Sequence, residues 1–226
     1  MDKFNQRKKD ILEKLDKSSK GDWDEKIKWL CDKINSMDNY YTTSSCSGRI
    51  IVMKDEDKKG PNLFSAVWHD LVELNDFMNK ITLLCSDVDG SSQTQSRLSQ
   101  KNLVNSQKKF ATKGASKGGL ELVNLKFKQE PPILHVACKN LEDAFILLEK
   151  ARKIGWRRSG IISEGKMFIV ELVSTEKLEF PLTEKGKLLV DSAFLKVVLE
   201  KANNNLERGW RAISCLGEAV ENIWGE

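Results

Sequence analysis

Three short segments and one isolated histidine of this 226-residue chain carry side chains that could do chemistry. Tyr40–Ile50 reads YYTTSSCSGRI and sets Ser44, Ser45, Cys46, Ser47, Gly48 and Arg49 side by side. Hydroxyls and crowded backbone N–H groups at the end of a β-rich run can cradle a carboxylate or a phosphate. Arg49 adds a planar, bidentate fork for the same kind of group. Small residues of this kind also build hairpin turns, which on residue chemistry alone is the commoner outcome. Glu130–Cys138 reads EPPILHVAC. Its prolines impose an extended entry, and alternation with period two then puts Ile133, His135 and Ala137 on one face. A histidine among apolar neighbours is more often a hydrogen-bonded core residue than a base, so Glu130, at the strand mouth, is the better placed for chemistry. Gly155–Ile161 reads GWRRSGI. Arg157 and Arg158 could grip phosphate there while Trp156 stacks on a base; a solvated arginine pair beside a core tryptophan is an equal reading. His69 follows the apolar run Leu63–Trp68, and histidine is the side chain whose ordinary pKa lies nearest neutrality. Lys185-Gly186-Lys187 is a weak anion-binding signal on a surface turn.

Composition narrows the classes. The five cysteines form no CxxC pair and only two histidines accompany them, so neither a zinc framework nor any other metal site is expected, and the thiols read as free. GxGxxG and P-loop patterns are missing. At 40% hydrophobic and 31% charged residues the chain is an ordinary globular protein. No run approaches the roughly 18 apolar residues of a membrane span, and MDKFNQRKKDILEKL lacks the apolar core of a secretory signal, so a cytoplasmic protein is expected. Charge is uneven. Ser86–Gly119 holds six basic residues against two acidic ones, an excess equal to the formal +4 of the whole chain. A basic, mobile stretch suits an RNA partner, although a solubilising linker is the simpler reading.

The elements that must position these residues follow from periodicity. Lys3–Lys17 reads as a charged helix with Phe4, Ile11, Leu12 and Leu15 as a partial stripe. Asp22 and Glu25 resemble a capping box before a second helix through Ile27, Leu30, Cys31 and Ile34. Strands are expected at Tyr40–Thr43, Arg49–Met53, Leu63–Trp68, Leu120–Phe127, Ile133–Cys138, Ile161–Ile162 and Met167–Val173, with a short helix at Val72–Ile81. Ala144, Leu147, Leu148 and Ala151 mark a helix that Gly155 closes, and Asp191 caps a long last helix through Phe194, Val197, Val198 and Leu206. About 85–119 is polar and reads as a disordered, basic, low-complexity insertion, because it cannot bury enough surface to offset its ordering entropy. The expected fold is α+β, a mixed β-sheet flanked by helices in one domain spanning 1–226.

Taken in order, YYTTSSCSGRI, EPPILHVAC, GWRRSGI and Leu178–Val190 (LEFPLTEKGKLLV) resemble the tRNA wybutosine-synthesizing protein 3 family over nearly the whole chain apart from the insertion. The resemblance implies an S-adenosyl-L-methionine-dependent N-methyltransferase of non-Rossmann fold. It would act on the aminocarboxypropyl-demethylwyosine intermediate beside the anticodon of tRNA(Phe). Members carry a tryptophan at the head of the strand that ends in the histidine matching His69; here Phe64 holds that place and Trp68 adjoins the histidine. On these positions Ser44, Ser45, Ser47 and Arg49 are expected to bind the cofactor carboxylate or the substrate's amino-acid tail. His69 is the first candidate for the base, with Glu130 and His135 behind it, and Arg157, Arg158 and Ser159 would hold tRNA. A non-catalytic tRNA-binding protein, or one domain of a fused wybutosine-synthesis enzyme, are the alternatives. The residues leave the oligomeric state open.

Overall fold

The structure is a computed structural model of the chain, and it describes residues 2–13, 24–55, 63–86, 124–164 and 167–221. In chain order its elements are α1 (Lys3–Leu12), α2 (Glu25–Asn35), β1 (Tyr40–Cys46), β2 (Arg49–Lys54), β3 (Phe64–Trp68), α3 (Leu74–Ser86), β4 (Leu125–Glu130), β5 (Ile133–Cys138), α4 (Leu141–Lys153), β6 (Gly160–Ser163), β7 (Phe168–Val173), β8 (Leu178–Pro181), β9 (Thr183–Glu184), β10 (Lys187–Leu188) and α5 (Ser192–Glu221). The strands form a first sheet ordered β1-β5-β7-β6, a second ordered β3-β2-β4-β8, and a β9–β10 ribbon.

The chain steps between the two sheets three times, at Ser47-Gly48, at Pro131-Pro132 and at Ser174–Lys177, and the steps lie at one level. Cys46, Ile133 and Val173 are register partners on one side of the break, and Arg49 with Glu130 on the other. Each break has a local cause. Gly48 takes φ +99°, a left-handed conformation that costs a side-chain-bearing residue, and an added Cβ would stand 3.2 Å from the Glu130 carbonyl. Pro131 and Pro132 have no N–H to offer a ladder.

Helices cover one side of both sheets. Ile27, Leu30, Cys31 and Ile34 of α2 and Ala144, Leu147, Leu148 and Ala151 of α4 pack on Leu134, Val136, Val170 and Leu172, with Trp156 fully buried among them. Phe77 and Ile81 of α3 pack on Ile50, Val52 and Phe127 of the second sheet. The long helix α5 serves both cores: Leu195, Leu199, Ala202 and Leu206 belong to the second, and Ile213, Leu216 and Val220 to the first. Each large apolar side chain so buried contributes roughly 1.5–3 kcal/mol of transfer free energy. Where α5 passes the breaks it carries Gly209, and a Cβ there would sit 2.7 Å from Pro132 Cδ and Cγ. On the other side of the first sheet, α1 covers one end, with Phe4 against Tyr41 and Ala137. No helix among the described residues is long and apolar enough to cross a membrane.

Several expectations change. The strands form two antiparallel sheets in place of one mixed sheet, because alternation identifies a strand but says nothing of its partner's direction. The serine segment is neither an amide nest nor a hairpin turn. Ser44, Ser45 and Cys46 pair with β5, and β1 and β2 lie in different sheets. Asp24, not Asp22, caps α2, accepting from Lys26 N at 3.3 Å. Asp191 does cap α5, accepting from Phe194 N at 2.8 Å. Of the residues named along α5, Leu206 is buried and Val198 packs against the second core, whereas Phe194 and Val197 are 46% and 65% exposed; Leu195 and Leu199 complete the buried face. α3 runs on to Ser86, and the rest of the expected insertion, like the helical residues expected at 14–17, lies outside the described residues.

Candidate functional site

A β-bulge between Thr42 and Ser44 decides which way the serine segment faces. Before the bulge, Tyr40 and Thr42 point to the helices: Tyr40 Oη donates to the Asp143 carbonyl at 3.1 Å, and Thr42 Oγ1 to Asn35 Oδ1 at 3.1 Å. Two residues of β1 then oppose one of β5, so the alternation flips and Ser44 lands opposite His135 on the open face. Ser45 returns to the helix side, opposite buried Leu134, and hydrogen-bonds the Cys31 thiol. Cys46, opposite Ile133, has its thiol beside Asp24 and His69. Ser44, His135 and Glu171 are register neighbours across three strands. Ser44 Oγ lies 2.7 Å from His135 Nδ1, and His135 Nε2 lies 2.8 Å from Glu171 Oε2. Both ring nitrogens of this half-buried histidine are thus engaged.

Beside this row is a notch. β1 is the edge of its sheet, and β3, the edge of the other, stops beyond β2, leaving the flank of β1 to the N-terminus of α2 and the bend after β3. Asp24 Oδ2 accepts from Ser47 N at 2.8 Å and stands 3.9 Å from His69 Nδ1. Asp24, Cys46 and His69 bring donor atoms within 4.8 Å of one another, a grouping able to hold a metal ion. A cation already stands close by. Lys26 pairs with Asp70, reaches the His69 carbonyl at 3.5 Å and lies 4.7 Å over the Trp210 ring. Its charge opposes a second positive charge there. Ser47 is fully buried, and its Oγ has no hydrogen-bond partner among the described residues. Burial pushes the Cys46 thiol up from its ordinary pKa, against the pull of the Gly48 amide and Arg49. Arg49 closes the notch: its Nε bonds Glu130 Oε2 at 2.8 Å, and its guanidinium lies 5.2 Å from the Phe64 ring centroid.

The structure therefore brings Ser44, Ser47, Arg49, His69, Glu130 and His135 into one region along the strand breaks. Ser45 points away from it. Ser159 is buried and occupied, its Oγ accepting from Val173 N at 3.0 Å and its carbonyl from Arg152 Nη2 at 2.7 Å. Arg157 and Arg158 are exposed just before β6, three strand spacings, or about 14 Å, across the sheet from β1. Sequence reasoning passed over Asp24 and Glu171. Asp24 had a signal, since aspartate before an amphipathic run is a favoured N-cap. Glu171 had one too, as the single charge in the apolar strand FIVELV.

A sequence profile described as Methyltransferase TYW3 matches residues 6–222. The chain belongs to that family. It is a methyltransferase, and its relatives carry more detailed names. The tRNA(Phe) 7-((3-amino-3-carboxypropyl)-4-demethylwyosine(37)-N(4))-methyltransferase of Archaeoglobus fulgidus is 34% identical over 199 residues, covering 87% of this chain and 82% of the relative. The tRNA wybutosine-synthesizing protein 3 homolog of Danio rerio is 34% identical over 222 residues, covering 97% of this chain and 75% of the relative. Among solved structures, the PH1069 protein of Pyrococcus horikoshii superposes with a TM-score of 0.72 at 32% identity, over 97% of this chain and 95% of that one. A hypothetical protein from Aeropyrum pernix, at 22% identity and TM-score 0.63, shares the fold. The fold of this chain is thus shared with solved structures.

Proposed function

We propose that the chain transfers a methyl group from S-adenosyl-L-methionine to a ring nitrogen of the aminocarboxypropyl-demethylwyosine intermediate, beside the anticodon of tRNA(Phe), in wybutosine biosynthesis. The observation that carries this is the adjacency of the Ser44–His135–Glu171 row to a notch whose donors suit an amino acid. Asp24 offers a carboxylate for an ammonium, and Arg49 and the unpartnered buried hydroxyl of Ser47 offer donors for a carboxylate. The cofactor and the intermediate both end in an amino-acid group, so the residues fit. When bound, the cofactor supplies an electrophilic methyl group. The protein's part is to hold donor and acceptor in line and to take the acceptor's proton.

His135 is the preferred base, ahead of His69, because both of its ring nitrogens are held in a defined hydrogen-bond row. Glu130 serves Arg49, orienting its fork. His69 and Cys46 line the notch, Ser45 ties β1 to α2, and the exposed Arg157 and Arg158 offer charge to a tRNA phosphate at the sheet's far edge. The reading is of one cytoplasmic methyltransferase domain that uses no metal and no doubly wound parallel sheet. Calorimetry with S-adenosyl-L-methionine, followed by methyl transfer into tRNA(Phe) bearing the intermediate, tests it. Saturable cofactor binding and one methyl group per tRNA are expected; tRNA binding without either would leave a non-catalytic tRNA-binding protein.

A further inference from the structure

We infer that Glu171 is a positioning residue that holds His135 in the Nε2–H tautomer, so that the Nδ1 lone pair draws the acceptor's proton through the hydroxyl of Ser44. The inference rests on the reading of His135 as base and adds the device that makes it one. A neutral imidazole carries one N–H, and a carboxylate can only accept. With Glu171 Oε2 at 2.8 Å, the proton belongs on Nε2, and Nδ1 is left to accept from Ser44 Oγ at 2.7 Å. The Ser44 lone pairs then face the open side of the sheet, where an acceptor N–H can donate to them.

The transfer balances along this row. The ring nitrogen's electron pair forms the N–CH3 bond, and the pair of the broken C–S bond stays on sulfur. The ring N–H proton passes to Ser44 Oγ while the Ser44 proton passes to His135 Nδ1. The resulting imidazolium donates from both nitrogens, with the Glu171 carboxylate opposing its charge, and it returns the proton to solvent.

Three features of the fold support a built device. The bulge at Thr42/Ser44 is what aims Ser44 at His135; without it, Ser44 would face the helices. Glu171 is a lone charge in an apolar strand, and among the described residues its carboxylate bonds no side chain other than His135. Its register neighbour on β6 is Gly160, where an added Cβ would meet nothing within 4 Å, so the carboxylate is not crowded.

The test is 15N NMR of the histidine ring in the full chain, run beside steady-state kinetics for the parent, Glu171→Asp and Glu171→Gln. The parent and Glu171→Asp are expected to show His135 as the Nε2–H tautomer, with kcat for Glu171→Asp within roughly three-fold of the parent. A glutamine can offer either its oxygen or its NH2 to the ring, so Glu171→Gln is expected to populate the Nδ1–H tautomer. Its kcat should fall about 10²-fold, with the KM values for tRNA and cofactor within about two-fold of the parent. An Nδ1–H tautomer in the parent, or an unchanged tautomer or kcat in Glu171→Gln, overturns the inference. Failure of the underlying reading is separate and shows as a His135→Ala enzyme with full kcat, whereas the tautomer spectrum needs no turnover.

Discussion

The two histidines of the chain sit in opposite kinds of place. His135 lies mid-strand in a four-stranded sheet, its two nitrogens spanned by side chains from both neighbouring strands. His69 lies in the bend after an edge strand, facing the N-cap of a helix, with an aspartate 3.9 Å from Nδ1. A ladder fixes register and therefore the distance between cross-strand groups, which suits proton transfer, where tenths of an ångström matter. A bend between an edge strand and a helix end can adjust to a guest, which suits binding. Under the proposed function, the row is the place for chemistry and the notch the place for recognition.

The sharpest way to break that division is to remove each imidazole. His135→Ala is expected to lower kcat by about 10²–10⁴-fold, the usual worth of a positioned acid or base. His69→Ala should act mainly on KM, and a reversed pattern in methyl-transfer kinetics would exchange the two roles. Next is Arg49→Ala, expected to raise the cofactor's Kd roughly tenfold or more by calorimetry as a charge-assisted contact is lost, while the His135 ring spectrum stays as in the parent.

Much of this arrangement is legible in the residues, and the failures have physical causes. YYTTSSCSGRI and EPPILHVAC mark the two strands that meet at Ser44 and His135, since β-branched and aromatic runs beside prolines leave few other states. Their pairing is long-range and unwritten. Nothing local says that β1 leaves its sheet at Gly48, where Glu130, Pro132 and Leu206 crowd the chain from far along the sequence, or that a bulge in the pairing with β5 turns Ser44 outward. The buried face of α5 is legible only in part, through Leu206 and Val198. Phe194 and Val197 are apolar but exposed, Phe194 lying edge-on to the Phe180 ring at 5.5 Å, while Leu195 and Leu199 face the core.

A smaller effect concerns the backbone that holds row and notch together. Gly209→Ala places a methyl against the stiff ring of Pro132 and should cost about 1–3 kcal/mol in chemical denaturation. Gly217→Ala meets Trp29, whose exposed indole, 44% accessible, can swing aside, so the loss there should be smaller. Thiol chemistry gives the finest reading. Burial pushes Cys31 to about 11 and Cys138 to about 12, so at neutral pH both remain protonated and unreactive in the native fold. Exposed Cys215 should alkylate first. Cys46, partly accessible in the notch, should react more slowly, and slower still with cofactor bound, as peptide mass spectrometry would reveal. Equal rates with and without cofactor would move the guest out of the notch.

The double service of α5 has a consequence for how the molecule comes apart. One helix lays its first turns on one core and its last turns on the other, so neither core keeps its cover if the helix leaves. Lifting it exposes apolar surface on both sheets at once, and the open intermediates that two separately roofed halves would permit are too costly to populate. Melting is then a single cooperative event. A guest bound in the proposed notch, beside Trp210, is expected to raise the melting temperature of both halves together.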